Sequence, residues 1–147
     1  MHAHPSSTTT TQTPSTAPAA LWSGYRWLSV ALALGIVIMA LLAGQGLWNA
    51  ERGLITGHGH LGNALFVLAI AQFAISVVLY QRKALSAGIM LLSFVTLVLL
   101  FAQAGLGYVG RENVDARAWH IPNGVLLMGL ATFSTAYAWL RPTPRER

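Results

Sequence analysis

Every Lys, Arg, Asp and Glu in the chain lies outside four stretches: Trp27–Leu47, Leu61–Tyr80, Leu85–Gly105 and Ile121–Leu140. Each stretch is about the 20 residues that an α-helix, rising about 1.5 Å per residue, needs to cross a hydrocarbon layer of about 30 Å. A water-soluble domain would carry roughly a quarter charged residues; this chain carries 9% and is 54% hydrophobic. The pattern predicts an all-α fold, an integral membrane four-helix bundle over residues 25–141.

The flanks fit that frame. Residues 1–24 begin with a Ser/Thr/Pro/Ala-rich run that lacks the apolar content to offset ordering entropy, so they are expected to form a disordered tail rather than a signal peptide. His2 and His4 belong to that tail, and residues 142–147 form a short basic one. Arg26, Arg82, Lys83, Arg141, Arg145 and Arg147 fall on one side of the spans, against Arg52, Arg111 and Arg117 on the other. By the positive-inside rule both termini are expected to be cytoplasmic. Trp22, Trp27, Trp48, Tyr80, Tyr108, Trp119 and Trp139 fall near the expected interfaces, where amphipathic rings are favoured.

Several function classes drop out. The chain has no cysteine, which excludes disulfides, thiolate metal sites, iron–sulfur clusters and covalently attached haem. Its net charge of +5 comes from residues at span ends, where membrane orientation accounts for them, so nucleic acid is not an expected partner. No Ser–His–Asp set, carboxylate pair or phosphate loop is present.

A repeat places the histidines. Shifted by 60 positions, His60-Leu61-Gly62-Asn63-Ala64 lies on His120-Ile121-Pro122-Asn123-Gly124; shifted by 61, Ala43-Gly44-Gln45-Gly46 lies on Ala104-Gly105-Leu106-Gly107. The sequence reads as two helical hairpins, each leaving with A-G-x-G and returning with H-x-x-N. Duplication about a pseudo-twofold axis would bring His60 and His120 to the same depth, facing one another across the bundle.

Two neutral imidazoles from opposing helices are the ligand set of a six-coordinate b-type haem, and bundle cores are common hosts for such sites. Gly44, Gly46, Gly105 and Gly107 would give a flat macrocycle close backbone approach, and Asn63 and Asn123 could orient the rings or receive a propionate. Other readings stand beside this one. Glycines also serve helix packing, Asn can cap a helix, and the imidazoles could make interfacial hydrogen bonds or carry protons. His58 with His60 and His120 could instead make a three-nitrogen copper or zinc site. Gln72, Ser76, Ser93, Thr96, Gln103, Thr132, Ser134 and Thr135 are expected to hydrogen-bond between helices. Pro122 suits the first turn of a helix, unless that helix starts near Asp115.

At these residues the chain resembles a known family. Ala102-Gln103-Ala104-Gly105-Leu106-Gly107, followed by a short loop and His120 at the next helix, resembles one half of the haem A synthase family; the whole is also similar to small four-span bacterial membrane proteins. The resemblance covers about Val30–Leu140 and implies His60 and His120 as axial haem ligands. The chain lacks the second four-helix half, a loop cysteine pair and an acidic residue just before His60. What the resemblance implies is therefore haem binding, and the reading as a whole expects a haem b protein of a bacterial cytoplasmic membrane, with a respiratory or haem-handling membrane complex or a quinone as partner. A cofactor-free structural or assembly subunit is the rival expectation.

Overall fold

A computed structural model describes residues 17–142. It contains four α-helices: α1 (Ala17–Trp48), α2 (Arg52–Gln81), α3 (Ala87–Val109) and α4 (Val114–Leu140). The connections are short, so successive helices run antiparallel, and α4 closes back onto α1. Both described ends of the chain therefore lie at one end of the bundle, here called proximal; the α1–α2 and α3–α4 turns lie at the distal end. The backbones of the diagonal pairs, α1 with α3 and α2 with α4, do not approach one another. The bundle is a four-cornered ring, and side chains that meet across a diagonal must point at its axis.

The helices overrun the apolar stretches that marked them. α1 begins at Ala17, so residues 17–24, expected in a disordered tail, are helical where they are described, and Trp22 is buried in the bundle rather than set at an interface. His2, His4, the rest of that tail and residues 143–147 lie outside the described residues. α4 starts at Val114, where Asn113 caps it by accepting a hydrogen bond from the Ala116 N–H. Pro122 consequently sits inside the helix rather than in its first turn, and without an N–H it cannot bond the Ala118 carbonyl one turn back.

Three helices, α1 to α3, are long and apolar enough to cross a membrane. α4 falls short of the four expected because Pro122, Asn123, Thr132, Ser134 and Thr135 dilute its apolar content.

The bundle has an apolar exterior and carries a belt of neutral polar side chains within an otherwise apolar interior. Ser29, Gln72, Ser76, Ser93, Thr96 and Ser134 are buried, while Leu34, Leu41, Val67, Leu91, Phe101, Val125 and Phe133 are exposed. Along the axis the interior is layered. Trp22, Tyr25, Leu79, Leu85, Ile89 and Ala138 pack at the proximal end. A belt of neutral polar side chains follows, then an apolar layer of Leu32, Ile36, Leu65, Ala69, Leu100, Leu127 and Ala131. In the belt, Gln72 Nε2 donates to Ser29 Oγ at 2.8 Å, and Tyr25 meets Ser93 across the α1–α3 diagonal at 3.4 Å.

Contrary to the expectation of interhelical bonds throughout, Ser76, Thr96 and Thr135 donate to carbonyls of their own helices, and Ser93 donates to its own helix besides meeting Tyr25. A hydroxyl three or four residues beyond a carbonyl satisfies itself locally. At the proximal rim, Arg26 donates from Nε to the Ala138 carbonyl (2.8 Å) and from Nη2 to the Arg141 carbonyl (2.6 Å), tying α1 to the end of α4.

Candidate functional site

The distal end of the axis holds His58, Gln103, His120 and Asn123. His58 comes from the second turn of α2 and His120 from the second turn of α4, a diagonal pair. Their ring centroids are 6.0 Å apart with planes tilted by 58°. Both rings are half-buried.

The imidazole that faces His120 is thus that of His58. His60 follows His58 by two residues, about 200° around a helix of 3.6 residues per turn, and its side chain is exposed at the distal rim near Tyr108 and Arg111. Because α2 begins at Arg52 rather than at His60, both histidines are helical and diverge. The three-nitrogen copper or zinc set expected of His58, His60 and His120 is not assembled: among the described residues no group of three His, Asp or Glu side chains could hold an ion.

The two axial imidazoles differ in what holds them. His58 Nδ1 lies 2.9 Å from the Met39 carbonyl of α1. A carbonyl only accepts, so Nδ1 carries the proton and the Nε2 lone pair is left for another partner. A ring nitrogen anchored on a backbone carbonyl is the usual outer partner of a metal-ligating histidine.

His120 is held by an amide chain. Asn123 Nδ2 donates to the Leu99 carbonyl at 3.0 Å and to Gln103 Oε1 at 2.6 Å. With its oxygen engaged, Gln103 turns its NH₂ group to His120, donating to the backbone carbonyl at 3.0 Å and to ring Nε2 at 3.2 Å. This network assigns the amide orientation and the tautomer together: Nε2 accepts, so the neutral ring carries its proton on Nδ1. That Nδ1 is buried with no hydrogen-bond partner.

The other candidate residues divide by contact. A Cβ on Gly107 would stand 3.1 Å from His120 Cε1, so that glycine makes room for the imidazole itself. Gly46 is closed off by Ile55 and Leu54, while Gly44 and Gly105 have nothing within 4 Å and are exposed. Asn123 joins the site as an orienting residue, but its repeat partner Asn63 is exposed and bonds Tyr108 Oη at 3.0 Å instead. Gln103, read from the sequence as interhelical glue, is the residue that fixes His120. Its place directly before the Ala104-Gly105-Leu106-Gly107 run was the available signal.

The chain matches no known protein family, no characterised protein and no solved structure. The resemblance to haem A synthase therefore rests on the quoted motifs alone.

Proposed function

We propose that the chain is a multi-pass protein of a bacterial cytoplasmic membrane that binds haem b through paired imidazoles at the outer end of its bundle and exchanges electrons with a respiratory or haem-handling partner. The apolar exterior and three span-length helices support the membrane part. In this reading α4 is the fourth span, its polar side chains Asn123 and Ser134 turned toward its neighbours, and the excess of Arg and Lys at the proximal end sets both termini in the cytoplasm. The two hairpins would be copies of one ancestral unit.

The observation that carries the haem reading is the meeting of His58 and His120 on the axis. Two imidazoles on opposite sides of one ion, each with a metal–nitrogen bond of about 2.0–2.1 Å, have centroids about 6.4 Å apart. The observed 6.0 Å fits a shared metal centre. The residues favour His58 over the expected His60 as the partner of His120, since His58 presents a free Nε2 and His60 is exposed at the rim. Haem held by two imidazoles supplies one-electron exchange with no open coordination position. The protein's part is to fix the rings: Met39 orients His58, while Gln103 and Asn123 orient His120. His120 would offer Nδ1 to an ion as the other neutral tautomer, with the proton moved to Nε2 and accepted there by Gln103 Oε1, so binding would exchange the present Gln103 bonds to Asn123 and the His120 carbonyl for one to the ring.

Protein purified from cells supplied with haem should show a Soret band. That band should be lost in His58→Ala and in His120→Ala and kept in His60→Ala. Loss in His60→Ala with retention in His58→Ala would restore the repeat-based ligand pair. A colourless wild type would leave the assembly-subunit reading, which the open faces at Gly44 and Gly105 favour as packing surfaces for other helices. Copper or zinc retained without a Soret band would point to a bare ion between the same two rings.

A further inference from the structure

A groove of about 640 Å³ opens at the distal rim, where the start of α2 meets the end of α3. Arg52, Thr56 and His60 line it from α2, and Tyr108 and Arg111 from the α3 side. Two of these residues, Arg52 and Arg111, are cations, and Glu51 lines the same groove. Glu51 and Glu112 adjoin Arg52 and Arg111 in sequence, yet among the described residues neither arginine forms an ion pair.

Arg111 is also held in place. Its guanidinium lies 5.1 Å from the centroid of the Tyr108 ring, and Tyr108 is fixed by its hydrogen bond with Asn63. A stacked, pre-positioned guanidinium loses little freedom when it takes a bidentate oxyanion. The rest of the wall is mixed: Glu51 and Asn63 line it beside Leu47, 76% exposed, and Ile55, 39% exposed, so the two arginines outnumber one carboxylate and an apolar flank adjoins them. A ligand matching both features carries an anionic phosphate head and a hydrocarbon tail.

We infer that this groove binds the phosphate of an anionic phospholipid, with Arg52 and Arg111 on the phosphate oxygens and the acyl chains along Leu47 and Ile55. The inference rests on the membrane-spanning part of the reading above and is independent of haem. It gives His60 and Asn63 a place in a lipid site rather than in the metal centre.

The full chain, purified in a neutral detergent, is tested by native mass spectrometry with phosphatidylglycerol, with phosphatidylcholine and with inorganic phosphate. Phosphatidylglycerol adducts should exceed phosphatidylcholine adducts roughly fivefold or more, and the Arg52→Gln/Arg111→Gln double variant should abolish that preference. Arg82→Gln/Lys83→Gln, altered at the other end of the bundle, should keep it. Tyr108→Phe, which removes the Asn63 bond while leaving the ring, should reduce it partially. Equal occupancy by the two lipids, or a double variant that binds as the wild type does, overturns the proposal. Displacement of the lipid by inorganic phosphate at millimolar concentration also overturns it, by making a soluble oxyanion the ligand. Circular dichroism on each variant separates loss of binding from loss of fold. Failure of the membrane reading would show separately, as a chain released from membranes by alkaline carbonate.

Discussion

Asn123 Nδ2 stands 2.6 Å from Gln103 Oε1, and this bond decides which nitrogen of His120 carries the proton. Without it, the Gln103 amide keeps its orientation only through the Nε2 bond to the His120 carbonyl, and its oxygen is released to turn to the ring. Asn123→Ala should therefore convert His120 from the Nδ1–H to the Nε2–H tautomer, read from side-chain ¹⁵N shifts of histidine-labelled protein. The Leu99 carbonyl and Gln103 Oε1 lose their donor at the same time, so stability should fall by about 1–3 kcal/mol in thermal unfolding. An unchanged nitrogen spectrum would show that the amide chain does not set the tautomer.

The glycines of the A-G-x-G runs should behave unequally. Gly107→Ala puts a methyl group 3.1 Å from His120 Cε1 and must displace the ring, so cofactor occupancy should drop. Gly105→Ala, with nothing within 4 Å, should leave occupancy unchanged and raise helix stability by about 0.5–1 kcal/mol. Equal losses in both variants would mean that the two glycines serve one flat surface, as a macrocycle slot requires.

Away from the site, Gly35 is pressed by the buried Leu65, and a Cβ there would collide with the leucine side chain. Gly35→Ala should destabilise the α1–α2 pair by about 1–3 kcal/mol, the usual range for overpacking. Adding Leu65→Ala should relieve the clash, leaving the double variant more stable than the sum of the two single effects allows. Strict additivity in the cycle would refute the contact.

The helices were legible because charge is expensive in an apolar setting: the uncharged runs could only mark helices of span length, and three of the four satisfy that test in full. Their ends were not legible. Apolar runs locate the oily part of a helix, whereas α2 and α4 each begin several residues earlier, on caps and polar turns that hydropathy ignores. That difference moved the site. Taken as the first residue of a helix, His60 matched His120 in the repeat; carried on a helix that had already made two turns, it shares α2 with His58, and the two point apart. Gln103 escaped for another reason. Its role depends on Asn123 and Leu99 meeting it from a neighbouring helix and from its own, a three-body arrangement that spacing along one chain does not encode.

Pro122 adds a mechanical consequence. The two turns of α4 that carry His120 are joined to the rest of the helix by one rung fewer, while the apolar layer from Leu32 to Ala131 begins only beyond that break. Pro122→Ala, which restores that rung, should therefore slow amide hydrogen exchange in those two turns, where the bonds from Gln103 and to the Gly110 carbonyl tie the tip of α4 to the end of α3.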